Sequence, residues 1–340
     1  MSQPQPIDPR LVGRTPARPK KRRSLVGRLI GLVILLFVLT LICVPLYAWS
    51  RIDKVDAAPA GNRPADAAGT TYLLVGSDSR EGLSTEEKKK LGTGSVGGNR
   101  TDTIILLHVP ESGPPALVSV PRDSWVPVPG RGDAKINTAF EGSKGGPKLL
   151  TQTIENYTGL RIDHYVEIGF GGFASIIDSV GGVDVDVKKA MKDKDAHINL
   201  KPGRQKLDGT TALGYVRSRK VPGLGDDFGR AERQREVIGL TASNALSWKT
   251  FVNPVRYYKI GTSGADALTV DDEMGPFDVA KFALAMRKVT SGGEGVSLGL
   301  PVSNPNAHRK GQSVVLLSET KVKALVKALK AGQTAGLKSS

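Results

Sequence analysis

Apolar and polar positions fall along this chain in blocks with two distinct periods. Short apolar, β-branched runs predict buried strands at 71-TYLLV-75, 103-TIILLHV-109, 116-ALVSV-120, 164-HYVEIG-169, 183-VDVDV-187 and 295-GVSLGL-300. Apolar positions three and four apart predict helices over 147–158, 172–180, 208–216, 228–246, 276–290 and 319–331. Pro276 or Asp278 is placed to start the fifth of these, and Ser318 to cap the last. The stretch 175-SIIDSVGGVDVDV-187 reads as a helix stopped by two glycines and followed by an alternating strand. Strands and helices interleave, so the expected fold is α/β: a three-layer αβα domain around a central mixed sheet.

One block departs from both periods. Residues 29-LIGLVILLFVLTLICVPLYAW-49 form an uncharged apolar run, and a helix of that length spans roughly 30 Å, the thickness of a bilayer core. Tyr47 and Trp49 suit the membrane interface. A cleaved signal peptide is disfavoured, because its apolar region usually has only ~7–15 residues and a small-residue cleavage site follows it closely. The expected organisation is a basic disordered tail over 1–28, a transmembrane helix over 29–49, a linker or partly ordered stem over 50–70 rich in Ala, Pro, Asp and Gly, one domain over 71–331, and a flexible tail over 332–340.

Charge sharpens the address. The net charge is +15, and residues 1–28 hold eight basic side chains against Asp8 alone. That tail predicts a cytoplasmic N-terminus by the positive-inside rule, with everything after Trp49 outside, as a single-pass protein of the cell membrane. The single cysteine, Cys43, lies within the span, so no disulfide framework is expected outside it. The four histidines are scattered without metal-ligand spacing, which argues against zinc. Few aromatics interleave with the basic residues, and with the extracytoplasmic address this excludes nucleic acid as a partner. Neither a Gly-x-Ser-x-Gly elbow nor a P-loop is present.

Four stretches place charge at element ends: 76-GSDSR-80, 100-RTDT-103, 119-SVPRDSW-125, and 215-YVRSRK-220 followed by 227-DFGRAERQR-235. Arg217 and Arg219 share a side if extended, and Arg230 and Gln234 share a helix face. Arg122 stands behind Pro121 at a strand end. Guanidinium groups grip phosphate bidentately, so such a cluster suits a pyrophosphate. Asp78 and Asp102 each sit beside an arginine. Two carboxylates at strand mouths can hold Mg²⁺, or they can serve as structural partners of those arginines, and composition does not separate the two.

The motifs LLVGSDSR, RTDTIILLHV, SVPRDSWV, KINTAF, GGPKLLTQTIE, IDHYVEIGFGGFASIIDSVGGVDVDV, LDGTTALGYVRSRK and DFGRAERQREVI occur in that order over roughly residues 70–245. Together they resemble the LytR-CpsA-Psr family of cell-wall glycopolymer ligases. The resemblance implies a membrane-anchored phosphotransferase that moves a glycopolymer from an undecaprenyl-pyrophosphate carrier to a peptidoglycan hydroxyl through a phosphodiester. It implies Mg²⁺, or Mn²⁺ in its place, at Asp78 and Asp102. It places the pyrophosphate on Arg100, Arg122, Arg217, Arg219 and Arg230, with Lys135 and Gln234 completing the polar shell, while Arg80 either contacts the phosphate or holds Asp78 in place. Asp123 and Asp227 are the candidates for general base. Phe140, Phe170 and Phe173 are candidates for an apolar groove holding the lipid. A polyprenyl-pyrophosphate pyrophosphatase would use the same site, and a non-catalytic anchor for wall polymer would use only the basic surface. Teichoic acid, arabinogalactan and capsule are all open as the polymer. The chain ends after a short helix and AGQTAGLKSS, so the additional C-terminal domain of many actinobacterial members is not expected. Residues 247–340 are read from pattern alone.

Overall fold

The computed structural model describes residues 25–78, 86, 91, 101–218, 227–290 and 295–337, with the side chains of 227, 228, 231 and 290 outside the description. The chain divides into two units, Met1–Thr40 and Leu41–Ser340. Helix α1, Leu25–Trp49, carries the apolar run and includes Pro45. It is long and apolar enough to cross a membrane.

The second unit is built on strands β1 (Asp53–Val55), β2 (Gly69–Ser77), β3 (Thr101–Pro110), β4 (Ala116–Val120), β5 (Trp125–Val128), β6 (Gly132–Lys135), β7 (His164–Ile168), β8 (Val183–Val187), β9 (Met191–Asp193), β10 (Ile198–Leu200), β11 (Gly203–Leu207), β12 (Leu268–Asp271), β13 (Val296–Gly299), β14 (Val302–Arg309) and β15 (Gln312–Leu317). Its helices are α2 (Pro147–Thr158), α3 (Phe170–Ser179), α4 (Gly209–Arg217), α5 (Asp227–Ala245), α6 (Trp248–Val252), α7 (Pro254–Ala267), α8 (Pro276–Thr290) and α9 (Glu319–Lys330). Among the described residues the central sheet runs β1-β12-β7-β2-β3-β4-β13. It is mixed: β2 is parallel to β7 and antiparallel to β3, and β4 is parallel to β13.

Side-chain alternation explains the three layers. Leu73, Val75, Leu106 and Val118 point to one face, where Leu150 and Ile154 of α2 and Leu325 and Leu329 of α9 cover them. Tyr72, Ile105, Leu107, Leu117 and Val166 point to the other, beneath Ala285 and Met286 of α8 and Ile238 of α5. A third cluster joins α3, α4 and α5 to β8–β11, where Val183, Val185 and Val187 supply the buried face of an alternating strand. The two glycines after α3 close it as expected. Gly181 and Gly182 have φ of 84° and 85°, and the Gly182 amide donates to the Ile177 carbonyl.

Three expectations change. The segment expected as a linker contains β1, which pairs with β12 at the sheet edge. Pro276 does open α8, with the Asp278 carboxylate accepting from the Gly275 amide at 2.9 Å, but Ser318 stands before α9 without a side-chain cap bond. The region read without elements between 247 and 275 folds into α6, α7 and β12. Pro254 opens α7, and the Asn253 side chain accepts from the Arg256 amide at 3.0 Å. That Asn-Pro signal was present in the sequence.

Candidate active site

The carboxylate side of the site is made by an irregularity in the β2–β3 ladder. Gly76 pairs with Thr103, but the next pair is Ser77 with Thr101, so Asp102 is the extra residue of a β-bulge. A bulge re-aims one side chain, and here that side chain is a carboxylate. The Thr101 hydroxyl lies 3.2 Å from the Gly76 carbonyl and 3.0 Å from the Thr103 carbonyl, which pins the bulge. Gly76 is required by close approach, since a Cβ there would sit 2.9 Å from the Thr103 Cβ. Asp78 follows β2 directly and is half-buried. Between them Ser77 is fully buried, and its hydroxyl has no hydrogen-bond partner among the described residues.

The arginine side comes from the turn after β4. The Ser124 amide donates to the Pro121 carbonyl at 3.0 Å, closing Pro121–Ser124. The carbonyls of Arg122 and Asp123 accept from the amides of Asn137 and Val315, so both residues are held by backbone on two sides. The Arg122 guanidinium then ion-pairs with Asp102 through Nη1. Its Nε lies 3.3 Å from Asp123, and Lys135 Nζ reaches the other Asp123 oxygen at 2.8 Å. Asp102, Arg122, Asp123 and Lys135 thus form one alternating row of charge. Asp123 is engaged on both oxygens, which makes it the group that orients the two cations.

The opposite wall is helical. The Asp208 side chain accepts from the Thr211 amide at 2.8 Å and starts α4, which ends on Arg217. The Arg217 guanidinium lies 4.7 Å from the Phe170 ring centroid, within cation–π range. On α5, Arg230 and Gln234 stand one turn apart and both line the same cavity, as the i,i+4 spacing predicts. Arg233 faces away from it. Its Nε donates to the Tyr215 carbonyl at 3.0 Å and its Nη2 to the Ser218 carbonyl at 2.6 Å, tying α5 to the end of α4. Burial lowers the Arg233 pKa from its ordinary value, but not its role as a donor.

These walls enclose a cavity of about 580 Å³, within the usual range for ligand sites. Its character changes along a single helix. The cavity-facing positions of α5 are Arg230 and Gln234 first, then Ile238, Thr241, Ala242 and Ala245, with the Thr241 hydroxyl turned back to donate to the Val237 carbonyl at 2.7 Å. At 1.5 Å per residue this gradient extends over roughly 22 Å. Phe173 and Ile176 of α3, Ile260 of α7 and Phe282 of α8 complete the apolar end. Asp193 and Asp195 also line the cavity, and Asp193 accepts from the Ser218 hydroxyl at 2.9 Å. Sequence reasoning missed both, because they lie on short hairpins with no motif of their own.

The structure therefore brings together Asp102, Arg122, Asp123 and Lys135 as one charged row, and Arg217, Arg230, Gln234, Phe170 and Phe173 around the cavity that Asp102 also lines. Arg80, Arg100 and Arg219 lie outside the described residues, as does the side chain of Asp227, the first residue of α5. Phe140 is corrected: it is buried in the core on the other face of the sheet, next to a 3-10 turn at Ile136–Ala139, and takes no part in the cavity. Its burial follows from the turn packing under α2, which the KINTAF motif alone does not reveal.

Comparison with known proteins gives a consistent picture. The LytR_cpsA_psr family model matches residues 48–331. The chain is 47% identical over 268 residues to the probable cell wall biosynthesis protein LcpB of Corynebacterium glutamicum, covering 78% of this chain and 63% of that one. It is 38% identical over 183 residues to TagU of Oceanobacillus iheyensis, a polyisoprenyl-teichoic acid–peptidoglycan teichoic acid transferase, covering 52% of each. The chain thus spans between half and two thirds of the length of these relatives. Among solved structures, a LytR-Csp2A-Psr enzyme from Actinomyces oris matches with a TM-score of 0.62 at 24% identity, over 84% of this chain and 98% of that one, a likeness of fold.

Proposed function

Because the chain belongs to the LytR-CpsA-Psr family, we propose that it transfers a glycopolymer from a polyprenyl-pyrophosphate carrier to peptidoglycan, leaving a phosphodiester. The observation that carries this reading is the graded cavity. An amphiphile with a charged head and a long apolar tail fits a site that is Arg230 and Gln234 at one end and Ile238, Ala242 and Ala245 at the other. The name of the relative TagU supports a teichoic-type polymer as the group transferred.

In the proposed step a peptidoglycan hydroxyl oxygen attacks the phosphorus nearer the polymer. The new P–O bond forms as the bond to the bridging oxygen breaks, and polyprenyl phosphate leaves with that electron pair. The hydroxyl proton passes to a carboxylate base, for which Asp123 and Asp227 are the candidates. Charge grows on the leaving phosphate, so fixed cations lower the barrier without reorganising. Arg122 is fixed by Asp102 and Asp123, and Arg217 by stacking on Phe170. Arg80, Arg100 and Arg219 are assigned to the same pyrophosphate, and Lys135 holds Asp123 in place.

Asp78, Asp102 and the buried Ser77 hydroxyl offer hard oxygen donors next to one another in sequence and ladder, a set that fits Mg²⁺ and equally Mn²⁺. When bound, such an ion would neutralise charge on the pyrophosphate oxygens. Helix α1 fits a single-pass membrane anchor. The basic residues before it favour a cytoplasmic N-terminus, which sets the site on the wall side.

The test is product analysis with the full chain in membranes. Lipid-linked polymer and peptidoglycan are supplied together, then the lipid alone. Polymer covalently joined to glycan, with polyprenyl phosphate released only when acceptor is present, is the expected result. Equal release without acceptor would assign hydrolysis instead. Salt-sensitive binding without any release would assign a wall-polymer anchor.

A further inference from the structure

Helix α7 runs alongside the last turns of α1, and in the same direction. The Tyr257 hydroxyl donates to the Leu41 carbonyl at 3.3 Å. Tyr258 stacks on Tyr47 with ring centroids 6.2 Å apart. A Cβ on Gly261 would stand 3.1 Å from Val44 and 3.9 Å from Ala48. Finally Asp266 pairs with Arg51, with bonds of 2.7 and 2.8 Å. The partners along α1 advance as α7 advances, so the start of α7 is level with Leu41. Leu41 lies about 12 Å before Trp49 along the helix axis. Half of a hydrocarbon core is roughly 15 Å thick. If the apolar run fills the bilayer, the start of α7 is therefore well below the surface.

The side chains at that depth are apolar and uncovered. Trp248, Phe251, Val252 and Val255 are 70%, 40%, 58% and 76% exposed. A contiguous apolar patch of this kind is uncommon on a soluble face. Two of the polar groups beside it are satisfied within the protein. Arg256 donates to the Val180 carbonyl at 3.0 Å and to the Thr250 hydroxyl at 3.2 Å, and the Asn253 side chain caps α7. Polar groups satisfied within the protein are what hydrocarbon demands. Lys249 and Lys259 are the exposed charged groups of α6 and the first half of α7, and immersion requires their flexible stems to carry the ammonium groups toward the headgroups.

We propose that α6 and the first half of α7 are immersed in the membrane leaflet that α1 leaves at Trp49, as a second, non-spanning membrane element. The occupant of this surface is lipid. The immersion rests on depth and exposure, not on the transferase reading. It has a consequence for that reading: Ala245, Ile260 and Gly264 line the apolar end of the cavity, so α7 separates cavity from bilayer by the width of one helix. A polyprenyl chain would pass around α7 without crossing water.

The full chain in phosphatidylglycerol–phosphatidylcholine nanodiscs tests this. Val255→Cys in a Cys43→Ser background carries a nitroxide, and Asn306→Cys, on the β14–β15 hairpin, serves as the exposed reference. The Val255 label is expected to collide with oxygen at least several-fold more readily than with a water-soluble nickel chelate, and the Asn306 label the reverse. In a Trp49→Phe/Trp125→Phe background, acyl-brominated lipid is expected to quench Trp248 emission at least twofold. Nickel-accessible label with unquenched Trp248 overturns the proposal. Spin–spin broadening between Val255 labels would assign the surface to a second copy and overturn it equally. None of these readings depends on turnover.

Discussion

Asp102 meets Arg122 because the β3 ladder contains one residue too many. The bulge turns the Asp102 carboxylate toward the end of β4, where the Pro121–Ser124 turn holds the guanidinium. Neither residue is deeply buried: their side chains are 37% and 18% exposed. The pair is partly screened by solvent on the Asp102 side, and its geometry presents a fixed cation to the site.

Arg122→Ala is expected to lower transfer from a lipid-linked donor by about 10²–10³, the usual cost of one donor to a developing anion. Arg122→Lys keeps the charge but loses the fork that joins Asp102 to Asp123, and should recover only part of the loss. Thermal melts of both should stay close to the parent. Parent-like transfer by Arg122→Ala would remove this residue from the mechanism.

Asp78→Asn and Asp102→Asn should each weaken Mg²⁺ binding about tenfold or more, since hard divalent ions depend on carboxylate charge. Calorimetric titration with Mg²⁺ in the presence of a soluble pyrophosphate reads this directly. An unchanged titration in both variants would show that the two carboxylates are structural partners of arginine.

Gly264 faces the cavity from within α7, and a Cβ there would meet nothing within 4 Å. Gly264→Ala should stabilise the protein by about 0.5–1 kcal/mol, because glycine is costly in a helix interior. Gly264→Phe should instead fill the apolar end, raising KM for long-chain donors while sparing short-chain ones. Equal effects on both donors would place the tail elsewhere.

His164 and Asp271 link β7 to β12. Burial opposes charge on His164, but its bond to Asp271 and the charges of Asp271, Asp278 and Asp163 prevail, so its pKa is raised above the ordinary 6.5. Burial likewise opposes charge on Asp271, and the bonds from His164 and the Tyr165 and Glu273 amides hold it below the ordinary 3.8. The His164 contribution is complete below the unfolded value and lost as pH rises through the raised one. The Asp271 contribution is present above its unfolded value and lost as pH falls through the lowered one. Urea midpoints should therefore decline from pH 6 toward 8, and His164→Gln should flatten that decline. An equal decline in the variant would assign it to other groups.

How far these features could be read from the sequence depended on their range. Strand β8 and helices α2 and α8 have the predicted bounds, because alternation, glycine stops and an N-terminal proline act over a few residues. The i,i+4 pairing of Arg230 and Gln234 was legible for the same reason. The bulge at Asp102 was not, since register is set by the partner strand rather than by local preference. Phe140 was misassigned on its apolar character, which fits a core as well as a groove. Helices α6 and α7 carry exposed apolar residues that blur the amphipathic signal, and the packing of α7 against α1 is a contact between segments some 200 positions apart in the numbering.

Strand β1 begins at Asp53, immediately after α1 ends at Trp49, and it is hydrogen-bonded into the central sheet beside β12. The chain leaving the anchor therefore has no slack to pay out. A domain on a long tether can search the wall for an acceptor, whereas one with so short a leash works at a fixed height. For the proposed transfer, the glycan strand must come to the enzyme. Polymer would then be attached within one domain's height of the membrane. Lengthening the Ser50–Ile52 junction is thus a way to change where in the wall polymer is placed without touching the chemistry.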